Sequence, residues 1–300
     1  KLGQFMKREV FLQYAVIITG AIVILIAALI MFVFRSEPSL PEKLAEALRQ
    51  KLTVTDDSAP MTFRGESTHA NPLLNQFYNE RDYYPAWFFK QGPAYLADSL
   101  VTFIRAIEQD GLKPYEYHLS RLDSLLPRVR MDLKTKMPLK MDQLLELELL
   151  LTDAFLLVAS HLLNGRLNPE TIDPEWLTTR SEEDLIAILN SALQKNRIRE
   201  ELNALLPGLS CYETLRNELN FFKAIARSGG WPAVPGGPSL KNGDSGFRVA
   251  ALSARLITSG DMPDRTLENR SVFDDTLEMA VRRFQKRQGI LDDGEVGPGT

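Results

Sequence analysis

"MDQLLELELLLTDAFLLVASHLLNGRLNP", residues 141–169, decides the fold. Its apolar residues fall nearly all round a helical projection, Asp142 sits in the first turn, and Asn164-Gly165 supplies a C-terminal stop. A helix apolar on every side is a buried one. The run is too short and too acidic to be a membrane span, so it predicts the central helix of a bundle. His161 falls in its last turn, where the helix dipole favours an imidazolium; with no titratable partner in sequence reach it reads as structural.

Working outward, "PAYLADSLVTFIRAIEQDGL" at 93–112 repeats Leu96, Leu100, Phe103, Ile104 and Ile107 on one face and stops at Gly111. Two further helices are expected behind capping boxes. One is Ser181-x-x-Asp184 before Leu185, Ile186, Leu189 and Leu193; the other is Ser210-x-x-Glu213 before Leu215, Leu219, Phe222 and Ile225. The second box makes Ser210 the N-cap and the lone cysteine, Cys211, the first helical residue. Unsatisfied amides there lower a thiol pKa, which is the physical case for a nucleophile. Against it, Glu213 brings a negative charge to the same helix end and no histidine is near in sequence. Cys211 is therefore expected to be a structural, packing residue.

The composition, 300 residues with 44% hydrophobic and 25% charged, is that of a globular protein of two domains. A net charge of -4 with no basic block excludes nucleic acid as a partner. One cysteine excludes an internal disulfide, and His69, His118 and His161 lie in separate segments without metal-ligand spacing. No metal and no cofactor is expected.

Near the start, "VFLQYAVIITGAIVILIAALIMFVF", Val10–Phe34, runs about 25 residues without a charge, enough to cross a bilayer. A cleaved signal peptide is the rival reading, but its apolar core is shorter and ends in small residues, whereas "MFVFRSEP" follows here. Lys1, Lys7 and Arg8 precede the span and Arg35 alone follows closely, so 1–9 is expected in the cytoplasm and the bulk outside, in the periplasm. The stretch 35–70, rich in proline, serine and charge, reads as a juxtamembrane linker despite the amphipathic Leu44, Ala47, Leu48 and Leu52. A helical domain is expected over 71–238. "ARSGGWPAVPGGPSLKNGDSG" at 226–246 then marks a boundary near 238 and opens a module at 239–300. That module shows two helical patterns. Asp244 or Ser245 caps Val249, Leu252 and Leu256; Asp275 caps Leu277, Ala280, Val281 and Phe284; Gly260 and Gly289 close them.

Gly243, Gly246, Val249, Leu252, Leu256, Ala280, Val281, Phe284, Gln285, Gly289, Asp293, Gly294, Val296, Gly297, Pro298 and Thr300 fill the pattern of a known family. This stretch resembles the peptidoglycan-binding module of the first type, a small three-helix domain. The chain stops at "VGPGT", where the resemblance would begin a third helix, and opens on Lys1, so a fragment is expected. Most of the matched residues read as cap, core and turn positions. As ligand contacts, Arg248 and Arg283 are candidates for stem-peptide carboxylates, and Gln285 and Asp293 for sugars or amides; each is equally readable as a solvated helix face.

Upstream, "FYNERDYYPAW" at 77–87, "DGLKPYEYHL" at 110–119, "LLTDAFLLVASHLLNGRLNPETIDPEW" at 150–176 and "YETLRNELNFFKAIARSGGWPAVPGGPSLKNGD" at 212–244 carry a second resemblance. They are similar to the scaffold of the membrane-anchored L,D-transpeptidases of Gram-negative bacteria. That likeness implies an inner-membrane protein acting on peptidoglycan. A cysteine thiolate attacks the amide between the third and fourth stem-peptide residues, D-alanine leaves, and a neighbouring stem's amine resolves the thioester into a 3–3 cross-link. The family's Ser-His-Gly-Cys-Arg-like motif does not occur in these 300 residues, so no catalytic residue is assigned and the catalytic domain is expected beyond Thr300. A non-enzymatic wall-binding adaptor and the binding part of a wall hydrolase remain open beside this reading. The fold class expected is mainly α: a transmembrane helix, a helical scaffold and a three-helix module incomplete at its C-terminus.

Overall fold

Helix α5, Met141–Asn164, is the axis of the first compact unit, residues 1–107 with 113–206. The computed structural model describes residues 17–26, 38–54, 60–89, 92–93, 95–167, 183–264 and 270–300. Around α5 pack α1 (Leu40–Val54), α2 (Asn71–Glu80), α3 (Tyr95–Ala106), α4 (Leu119–Lys134), α6 (Leu185–Lys195) and α7 (Ile198–Asn203). Because helices meet α5 on all sides, its apolar residues have no solvent face to avoid: Leu147, Leu149, Leu150, Leu151, Phe155 and Leu156 are all fully buried. Gly165 ends the helix at a positive φ of 75°.

The face read from the sequence on 93–112 is buried as expected: Leu96, Leu100, Phe103, Ile104 and Ile107 are each at most 6% exposed. The helix tightens into a 3-10 turn at Ile107–Asp110 before Gly111. Two short hairpins had no sequence-level reading. They are β1–β2 (Thr62–Phe63 with Glu66–Ser67) and β3–β4 (Phe88–Phe89 with Gly92–Pro93).

Residues 40–54 correct the linker reading. Leu44 and Leu48 are fully buried and Leu52 nearly so, with α1 against α5 and β3, so this helix is part of the core. Its proline-and-charge flanks masked three leucines at helical spacing, which were the better signal. Of the expected span 10–34, residues 17–26 are helical and exposed, and the rest lies outside the described residues. Among the described residues no helix is long and apolar enough to cross a membrane.

The second unit comprises 108–112 and 207–300, so the boundary expected near 238 falls inside it. It holds α8 (Ser210–Arg227), α9 (Phe247–Thr258) and α10 (Asp275–Gln288). Leu240, Val249, Leu252, Leu256, Met262, Phe273, Leu277, Ala280, Val281 and Val296 form one core, and the bridge pairing Leu240 with Val296 ties its two ends.

Several helix starts shift by a residue or more. For α6 the cap is Asp184 itself, accepting from the Ile186 and Ala187 N–H groups; Ser181 lies outside the described residues. For α10 it is Asp274 rather than Asp275, accepting from Leu277 N–H. The α8 N-cap is Leu209, without a side-chain cap, so Ser210 is already helical. At α9 neither Asp244 nor Ser245 caps; Gly246 does, at φ 122°, a conformation that costs any L side chain strain. The Asp244 carboxylate turns back instead and accepts from Lys241 N–H at 2.8 Å.

Candidate functional site

In the second unit the candidate contact residues divide sharply. Gln285 is 1% exposed and is consumed by the chain itself. Its Nε2 donates to Asp293 Oδ1 and to the Glu295 carbonyl, both at 2.9 Å, and its Oε1 accepts from Gly294 N–H at 2.9 Å. It is a pin that fixes the 293–295 turn to α10. Gly294 there has φ 80°, and a Cβ would come within 2.9 Å of Glu278 Cγ, which explains the glycine. Asp293 accepts from Glu295 N–H as well, and these bonds hold its carboxyl below the usual range. Gln285 is thus buried turn structure, while Asp293 braces the same turn through Oδ1 and keeps an exposed carboxylate.

Arg283 is exposed on α10. Arg248, at the start of α9, donates from Nε to the Pro235 carbonyl at 2.9 Å and from Nη1 to that of Pro238 at 2.7 Å. It shares a cleft of about 560 Å³ with Trp231, Arg255, Leu252, Leu256 and Phe284. The Arg255 guanidinium lies 4.3 Å from the Trp231 ring centroid, a cation–π contact that occupies one indole face. Arg255 and Trp231 were missed in the sequence because neither belongs to a fixed motif spacing. The two arginines of α9 are seven residues apart, two helical turns, which was the available signal.

Cys211 is exposed, the second residue of α8, and not the packing residue expected. The three histidines all belong to the other compact unit. What α8 does hold in place is Asp110 of the "DGLKP" stretch: Tyr212 Oη donates to Asp110 Oδ1 at 2.9 Å, and Arg216 Nε sits 2.8 Å from the same oxygen. Burial and that bond push the Tyr212 hydroxyl up to about 12.

In the first unit the histidines, remote in sequence, come together. His69 and His118 stack with ring centroids 5.8 Å apart, and His118 Nδ1 and Nε2 face Glu66 Oε2 at 2.9 Å and Asp153 Oδ2 at 2.8 Å. His161 Nδ1 meets the Tyr117 hydroxyl at 2.9 Å. Its pKa is lowered by burial and by the Arg166 cation, so the imidazolium expected from the helix dipole is not the favoured form. Five residues before Asp153 on α5, the buried Glu148 accepts from the Ala86 and Trp87 N–H groups and from Tyr78 Oη. Thr152 completes the link, its Oγ1 2.7 Å from Tyr78 Oη and accepting from Trp87 Nε1 at 2.9 Å, so the "FYNERDYYPAW" stretch and the 148–152 turn of α5 form one buried polar network.

Residues 72–219 match the family described as "Scaffold domain", and residues 245–300 the one described as "Putative peptidoglycan binding domain". Each match spans less than half of the chain, and together they support an architecture of a scaffold domain followed by a peptidoglycan-binding module. No curated protein matches the chain. Together the two matches support a role in binding the cell wall. The first match runs from the first turn of α2 into α8; the second covers α9 and α10, and glycines, pin residues and core residues together account for most of the module's signature.

Proposed function

We propose that this chain is the anchor, scaffold and wall-binding part of an L,D-transpeptidase, with the acyl-transfer chemistry carried by a catalytic domain C-terminal to Thr300. The observation that carries the reading is the occurrence of the scaffold match and the peptidoglycan-binding match in one chain. In this account Val10–Phe34 is a single-pass signal anchor in the inner membrane, residues from Arg35 onward are periplasmic, and the module holds the enzyme against its substrate. Arg283, free of the internal bonds that occupy Gln285, is the side chain put forward for stem-peptide carboxylates, since a guanidinium pairs with a carboxylate through two parallel bonds; Arg248, whose Nε and Nη1 already donate to the Pro235 and Pro238 carbonyls, is put forward beside it through its remaining N–H groups. No residue described above serves as nucleophile.

The test uses the protein encoded by the complete gene. Incubated with tetrapeptide-bearing disaccharides, it should yield dimers joined through the third residues of two stems and should form a stoichiometric carbapenem adduct on a residue beyond Thr300. A complete protein that binds sacculi yet gives neither product would be an adaptor, and release of soluble wall fragments would mark a hydrolase; either result overturns the proposal.

A further inference from the structure

His118 is 1% exposed and has both ring nitrogens within hydrogen-bond distance of carboxylate oxygens. A neutral imidazole has one N–H and one lone pair, so it satisfies one carboxylate and turns a lone pair on the other. Only the imidazolium donates to both. The two acceptors belong to different elements, Glu66 to strand β2 and Asp153 to α5, while His118 itself occupies a left-handed corner (φ 59°) at the start of α4.

The two carboxylates are not equivalent. Asp153 is fully buried, and its Oδ1 also accepts from His69 N–H at 2.9 Å and Ala70 N–H at 2.7 Å, at the entry to α2. Glu66 is 32% exposed at its side chain and has water available as a substitute partner. The other charged and titratable groups around the ring are His69, stacked on it from the 68–70 corner, and Arg121 of α4, which is held by Glu146 of α5 at 2.5 and 2.7 Å and also attracts Glu66. Tyr117, next in the chain, turns to His161. Burial works against charge on His118, yet its bonds to Asp153 and Glu66 outweigh that, and the proton is held above the ordinary histidine value.

We propose that His118 is a proton-held clasp: as an imidazolium it ties the β1–β2 hairpin to the central helix, and loss of one proton releases Glu66 and the hairpin while Asp153 stays in place. The direction follows from linkage. A group whose pKa is raised on folding contributes fully below its unfolded value, about 6.5, and loses that contribution as pH rises through the folded value. The scaffold is thus tightened toward acid and loosened at one corner toward alkali.

With three histidines, ring ¹⁵N spectra of the full chain resolve each one, and amide exchange follows the hairpin. The expected result is a doubly protonated His118 ring that titrates above free histidine, with the protection factors of the 61–68 amides falling roughly tenfold through the same midpoint. Amides in the middle of α5 should not change. Glu66→Gln, at a partly exposed side chain, retains a hydrogen bond to either form of the ring, because an amide both donates and accepts. It should flatten the pH dependence without unfolding the chain. A singly protonated ring at pH 6, hairpin protection indifferent to the ring's titration, or an unchanged pH dependence in Glu66→Gln would each overturn the proposal.

Discussion

Cys211 shows what a single position can and cannot announce. Its place near a helix start was legible, but the structure leaves the side chain in solvent, where neither packing nor a neighbouring base gives it a role. The expected behaviour is that of an ordinary surface thiol. A disulfide reagent should label it fully without denaturant, Cys211→Ser should change stability by no more than about 0.5 kcal/mol, and a carbapenem should leave the mass of this chain unchanged. A stoichiometric carbapenem adduct at Cys211 would contradict the proposal that no residue of this chain is the nucleophile. Gln285 is the opposite case. Its polar chemistry suggested a ligand contact, yet its amide is spent on the 293–295 turn. Residue type alone did not separate these outcomes, because the deciding quantity is burial, which depends on partners distant in sequence.

At the scale of elements, periodicity was reliable where a helix was long and one-faced, as in α3 and α5, and failed where flanking composition was allowed to outvote it. α1 is the instructive error, since Leu44, Leu48 and Leu52 repeat every fourth residue and all are buried. Leu48→Ala should therefore destabilise the first unit by about 3 kcal/mol, measured by urea unfolding, whereas a solvated linker would give a change near zero. The buried polar network was not legible, because its members lie 60 and more residues apart and meet only once α2 packs on α5. It carries its own pH signature. Burial raises the Glu148 carboxyl to about 7, against hydrogen bonds from Ala86, Tyr78 and Trp87 that pull it down. The folded state then holds a proton that the unfolded chain releases near 4.5, so stability is greatest below that value and declines as pH rises to about 7. Glu148→Gln keeps an acceptor for the two amides and should remove that decline. The gain at pH 8 is on the order of 3 kcal/mol. A Glu148→Gln curve parallel to wild type would assign the decline to another group.

Over the whole molecule, the succession of a helical bundle and a second module was readable because the two carry different kinds of signal, an all-round apolar helix and a glycine-punctuated pattern. The positions of side chains within the module were less readable, as its signature residues mostly build the fold that presents a ligand surface. Wall binding is the claim on which the functional account stands, and co-sedimentation with purified sacculi tests it most directly. The protein encoded by the complete gene, mixed with sacculi at low salt and spun down, should be found in the pellet, and Arg248→Gln with Arg283→Gln should move it toward the supernatant while its helical circular dichroism is unchanged. A folded wild-type chain that stays in the supernatant would contradict the account.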